Sequence, residues 1–171
     1  MSARESDLAG FQSSRRKFVD AISGVPEDAL AYLSPSDDYS LGGLITHVNA
    51  ILRRYGRVLD GVLGDTASEL DARPIDLDKD VDNARSGEAM TGPGRAAALT
   101  TLAQLHDHMA FKLGTLTDAD WDRKTPVVFG GSEEPYPTSA GDLIGWLTGH
   151  YEEHVPHVAE LLAGWQATAT A

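Results

Sequence analysis

Two histidines four residues apart, His150 and His154, stand in the run Gly149-His150-Tyr151-Glu152-Glu153-His154-Val155-Pro156-His157. On a helix, side chains at that spacing share one face with their Cβ atoms roughly 6 Å apart, so the two imidazoles can grip one metal ion. A third histidine, His47, lies far upstream in Gly43-Leu44-Ile45-Thr46-His47-Val48-Asn49-Ala50, a stretch that also reads as helix. Three neutral imidazoles leave a position open on a divalent ion, which a catalytic site needs and a closed structural site lacks. Imidazole suits zinc, nickel, iron and copper alike, with zinc or nickel the first expectation and iron next.

The other candidates for chemistry are weaker. The chain has no cysteine, so disulfides, thiolate ligands and cysteine nucleophiles are excluded, and any thiol must arrive as a cosubstrate. Ser40 and Ser139 stand where helix caps are expected, and no Gly-x-Ser-x-Gly elbow accompanies them. The glycines form no phosphate-cradling loop. His106 and His108 are two residues apart and face different sides of a helix, which places both on a flank or at the surface. His157 reads as a donor to a ligand or a plain flank residue, not as a ligand itself. Glu153 sits beside the histidine pair but on another helix face, so no carboxylate is assigned as general base and no catalytic side chain is named.

These residues need elements to hold them. Apolar residues at three- and four-residue spacing predict four long helices, at about residues 6–23, 40–63, 94–116 and 138–165. Gly24 and Pro26 stop the first; Asp38, Tyr39 and Ser40 offer caps to the second, which Gly64 and Asp65 end. His47 falls on the stripe of Leu44, Val48, Ile51 and Tyr55, and His150 and His154 on the stripe of Leu143, Trp146, Leu147 and Leu161. All three therefore point inward, where an unpaired imidazole nitrogen is costly and a metal would satisfy it. Pro156 lies inside the fourth helix and should bend it or cost one of its hydrogen bonds just after the histidine pair. Short helical turns are expected at residues 26–33 and 117–122, and the tail from Gln166 should fray. Two long connections remain. The acidic run Asp76-Leu77-Asp78-Lys79-Asp80-Val81-Asp82-Asn83 reads mainly as solvated crossover, and residues 126–137 as a hairpin-like lid around Gly130-Gly131, with no wider sheet expected. Four long helices with two long crossovers give an all-α, single-domain four-helix bundle over residues 1–171.

Composition bounds the partners. A net charge of −12 argues against nucleic acid and against an anionic membrane surface, both of which call for clustered Lys and Arg. No stretch resembles a signal peptide or reaches a membrane span, so a cytoplasmic protein acting on a small molecule is expected. An exposed helix face would allow a homodimer.

Two segments carry a resemblance. Tyr39-Ser40-Leu41-Gly42-Gly43-Leu44-Ile45-Thr46-His47-Val48, with an aromatic eight residues before a histidine, resembles the DinB/YfiT superfamily of metal-binding four-helix bundles, as does His150-x-x-x-His154-x-x-His157. The likeness covers nearly the whole chain. It implies an up-down-down-up bundle and a metal on His47, His150 and His154. The family often has Trp where this chain has Tyr39, and Gln where it has His157; neither change removes a ligand. The superfamily is similar in fold to mycothiol-dependent maleylpyruvate isomerases and bacillithiol transferases. The implied chemistry is metal-activated attack by a low-molecular-weight thiol, hence a thiol S-transferase acting on small electrophiles. The alternatives are a metal-dependent hydrolase using water, or a non-catalytic metal- or ligand-binding bundle.

Overall fold

The computed structural model describes residues 2–64 and 69–169. Helix α1 (Ala3–Ser23) begins on a capping box in which Ser2 Oγ accepts the Glu5 N–H while the Glu5 carboxylate accepts the Ser2 N–H. It buries Phe11, Phe18 and Ile22, stops at Gly24, and is followed by a 3-10 turn at Glu27–Ala29. Helix α2 (Gly43–Leu63) starts three residues later than its apolar pattern suggests, because Ser40 is first drawn into an antiparallel bridge with Leu33. Ser40 still caps it, its Oγ accepting the Gly43 N–H at 2.9 Å. Gly64 closes α2; Asp65 lies outside the described residues.

Beyond strand β1 (Leu70–Asp71), the acidic run is not a loop but part of helix α3 (Arg73–Asn83). It hid because Ile75 is its one buried residue, so it has no apolar stripe to read. Ionic rungs hold it to α2 instead: Arg53 with Asp82, Arg54 with Asp76, Arg57 with Asp78. Helix α4 (Gly92–Gly114) is capped by Thr91, and the short α5 (Asp118–Asp122) by a Thr117–Asp120 box. Strands β2 (Thr125–Val128) and β3 (Tyr136–Thr138) follow, then helix α6 (Ala140–Ala169). Ser139 and Asp142 cap α6 reciprocally, and the helix continues unfrayed to Ala169 with Pro156 inside it.

Side-chain pairs fix the helix directions. Ser14 meets Glu152 and Gly10 lies against Thr148, so α1 and α6 run parallel. Asn49 donates to the Ala98 carbonyl and Lys112 pairs with Asp60, so α2 and α4 also run parallel. Arg15 with Asp107 and Arg95 with the Val25 carbonyl set α1 against α4. His47 beside His150 and Tyr55 beside Trp146 set α2 against α6. The result is the up-down-down-up bundle, and the long crossover between α2 and α4 exists because these consecutive long helices are parallel. Its core is built from Phe11, Phe18, Leu44, Ile45, Leu59, Leu102, Ile144 and Tyr151, each almost wholly buried.

The lid is larger than a hairpin. Strands β2 and β3 pair antiparallel (Thr125 opposite Thr138), and β1 adds parallel to β2 (Leu70 opposite Val127), making a three-stranded sheet in the order β1-β2-β3. A two-residue strand offers no alternation for a sequence pattern to reveal. No helix among the described residues is long and apolar enough to cross a membrane.

Candidate metal centre

The facing stripes of α2 and α6 bring His47, His150 and His154 together. One ring nitrogen from each lies within 4.8 Å of the other two, the single such cluster of metal-capable side chains among the described residues. His47 and His154 are buried, and His150 is nearly so. The His47 ring is 4.9 Å from His150 and 5.0 Å from His154, centroid to centroid, and the two α6 rings are 4.5 Å apart.

The outer nitrogens of two rings are committed. His47 Nδ1 meets Asn83 Oδ1 at 2.8 Å, and that oxygen also accepts the Ser86 hydroxyl at 2.8 Å. Because Asn83 Oδ1 can only accept, the His47 proton sits on Nδ1 and its Nε2 keeps a lone pair. On the other side, His154 Nδ1 meets His157 Nδ1 at 3.2 Å, and His157 Nε2 meets Asp37 Oδ2 at 2.5 Å. Burial pushes the Asp37 carboxyl up, but the hydrogen bonds from His157 and the Tyr39 N–H outweigh it and hold the pKa below its ordinary value. An ionised Asp37 accepts a hydrogen bond from His157 Nε2–H; the Nδ1 of a neutral His157 then accepts from His154 Nδ1–H and leaves His154 Nε2 bare. Nε2 of both His150 and His154 is buried without a hydrogen-bond partner. A buried imidazole nitrogen left alone costs free energy that a cation would recover. The donor set therefore fits a divalent metal.

Electrostatics favour the ligand-ready form. Burial, reinforced by the neighbouring imidazoles, lowers His150 to about 3 and His154 to about 4. Burial likewise lowers His47, against the raising effect of its bond to Asn83. All three are neutral at pH 7, as metal ligation requires. Tyr39 covers the cluster, its ring 4.3 Å from His47 and edge-on to His154 at 6.2 Å. Burial and the nearby Asp38 raise the Tyr39 pKa, so its hydroxyl stays neutral.

Of the remaining histidines, His108 is exposed as expected, and His157 supports His154 rather than joining the cluster. His106 is a correction. It is fully buried, stacked on Phe11 at 4.0 Å, with Nδ1 3.3 Å from the Tyr151 hydroxyl. Position 106 shares the stripe of Leu102, Met109 and Leu113, a signal that was readable but blurred by the alanines and leucines around the rest of α4. Asn83 and Asp37 carried no local signal, lying 36 residues from His47 and 120 from His157. Glu153 is largely exposed and 4.0 Å from His150 Nδ1, and its charge acts on His47 and Tyr39.

Comparison with known proteins bears on the family and the fold. The family model of the DinB superfamily matches residues 11–158. Among solved structures, the chain is similar to YfiT from Bacillus subtilis, described as a probable metal-dependent hydrolase with an unusual four-helix bundle topology. The TM-score is 0.71 at 19% identity, covering 97% of this chain and 90% of that one, a likeness that shows the fold. A sequence comparison with curated proteins gives no match.

Proposed function

Because the chain belongs to the DinB superfamily, we propose that His47, His150 and His154 hold a divalent metal, zinc or nickel foremost, and that the protein transfers a low-molecular-weight thiol onto small electrophiles. The observation that carries the metal reading is the pair of buried, unpartnered Nε2 atoms converging with His47. Bound there, a divalent ion would lower the pKa of a coordinating thiol or water and so supply the anion near neutral pH. The chain's own part is to orient and to keep dry. Asn83 holds the proton of His47 on Nδ1, the Asp37–His157 pair does the same for His154, and Tyr39 walls the rings off from solvent.

What favours a thiol over water is the absence, among the described residues, of a carboxylate positioned as general base. Asp37 is engaged with His157, and Glu153 is largely in solvent, its nearest approach to a cluster ring being 4.0 Å to His150 Nδ1. A thiol starts near pKa 8.5 and gives up its proton with little help, whereas water starts near 15.7. The hydrolase remains a second reading, supported by the description of YfiT.

The test is metal analysis of the purified protein together with a panel of thiols, electrophiles and esters, in the wild type and in His150→Ala. Thiol consumption that needs the metal and disappears in His150→Ala is expected. Product formed with water alone would establish the hydrolase instead. Neither activity, with metal in place, would mean a ligand-binding bundle.

A further inference from the structure

One helical turn before His150, Trp146 of α6 and Tyr55 of α2 border a recess of about 500 Å³. Its walls are Tyr55 of α2, Trp146 of α6, and Phe129, Ser132 and Tyr136 from β3 and the β2–β3 connection, with Arg54 at one side. Trp146 is central, its ring 5.9 Å from Tyr55, 6.0 Å from Phe129 and 6.0 Å from Tyr136. The Ser132 hydroxyl is turned to the Glu134 carbonyl, so what the recess offers is aromatic surface. The lid side is fixed in place. Asp76 accepts both the Arg54 Nε–H and, at 2.5 Å, the Gly130 N–H, clamping the β2–β3 turn to α2 and α3. The approach is close: a Cβ on Gly130 would lie 3.0 Å from Asp76 Oδ2 and crowd the clamp.

An aromatic cage can take a cation or an aryl group, and Arg54 decides between them. Its guanidinium already lies 4.7 Å from the Tyr55 centroid and 5.2 Å from that of Phe129. A cationic ligand would have to compete with that guanidinium, itself paired with Asp76, for two of the four rings. An uncharged aryl ring would stack without that penalty.

Position supplies the rest. Trp146 and His150 are one turn apart, about 6 Å along the helix axis. We propose that this recess binds an uncharged aryl group of the substrate, joined by a short linker of about two carbons to the group that reacts at the histidine cluster. The placement of the reacting group rests on the metal reading above; the recess itself does not.

Two measurements test it. On zinc-loaded protein, affinities of acetohydroxamate and 3-phenylpropanohydroxamate are compared in the wild type, Tyr136→Ala and Trp146→Leu; Tyr136 is mostly exposed, so its removal spares the fold. The phenyl compound should bind about tenfold tighter or better. Both substitutions should erase that gain while leaving acetohydroxamate unchanged. On metal-free protein, 3-phenylpropanamide should shift the Trp146 indole N–H resonance, and propanamide should not. No phenyl gain, a gain that survives both substitutions, or tighter binding of a trimethylammonium analogue overturns the proposal. An intact indole response without any hydroxamate binding would overturn the metal reading and leave the recess standing. Hydroxamate binding without an indole response would do the reverse.

Discussion

Two rings in the cluster, His47 and His154, have their own kind of support, and that ranks the consequences of losing a side chain. His47→Ala, His150→Ala and His154→Ala each remove a donor and should abolish stoichiometric metal uptake, while His108→Ala, on the surface, should leave it unchanged; metal analysis of the purified variants decides. Asn83→Ala and His157→Ala remove only the groups that orient His47 and His154, so metal affinity should fall by about 10- to 100-fold with the bundle intact. Affinity equal to wild type would mean that packing alone aims the rings. His106 behaves differently, because its burden is protonation. Burial, with Arg15 nearby, lowers it to about 4 from an ordinary 6.5. The unfolded chain therefore binds a proton that the folded one refuses. Stability is unaffected by His106 above about pH 6.5 and falls as pH drops toward 4, by an amount on the order of 3 kcal/mol. Urea unfolding of wild type and His106→Phe at pH 7 and pH 4.5 isolates this contribution. Parallel losses in the two proteins would contradict it.

At the scale of elements, the site depends on a strap that carries no ligand. Residues 83–88 run across the start of α2, where the Ser40 N–H and hydroxyl bind the Ser86 and Glu88 carbonyls, and this brings Asn83 to His47. The approach is close enough that a Cβ on Gly43 would lie 1.6 Å from the Ser86 carbonyl oxygen. Gly43→Ala should push the strap away, costing about 1–3 kcal/mol and weakening metal binding although no coordinating atom is touched. Thermal melts and metal titration of that variant read both effects, and unchanged affinity would detach the strap from the site. Such couplings are why the centre was only half legible beforehand. His47, His150 and His154 stand on apolar stripes with helical spacing, so their convergence could be read residue by residue. The partners Asn83, Asp37 and Ser86 sit in segments without periodicity, and only the folded chain brings them close. Helix α3 was missed for a related reason: arginine–aspartate rungs hold it, and salt links leave no apolar rhythm.

For the whole molecule, the cluster ties α2 to α6, but the apolar core holds the bundle without it. Stripping metal should thus lower the melting temperature and not unfold the protein. At a metal concentration of about 100 times the Kd, the loss is about 2.7 kcal/mol, or roughly 5–10 °C for a chain of this size. Differential scanning calorimetry with and without chelator measures it. Complete unfolding on chelation would identify the centre as structural.

The late place of α6 in the chain has a consequence in time. It supplies a whole wall of the bundle and two of the three imidazoles. While the ribosome works from the end of α2 to His150, α2 can dock on α3 and α4, but the wall that α6 supplies against Leu44, Ile45 and Val48 is still missing. At about 5–20 residues per second, that interval lasts roughly 5–20 s. A nascent chain in this window exposes sticky surface and, holding a single inward imidazole, competes poorly for metal. On the proposed metal reading, metal capture and closure of the core would be one late event, and a chain stalled before α6 would hold one of the three donors.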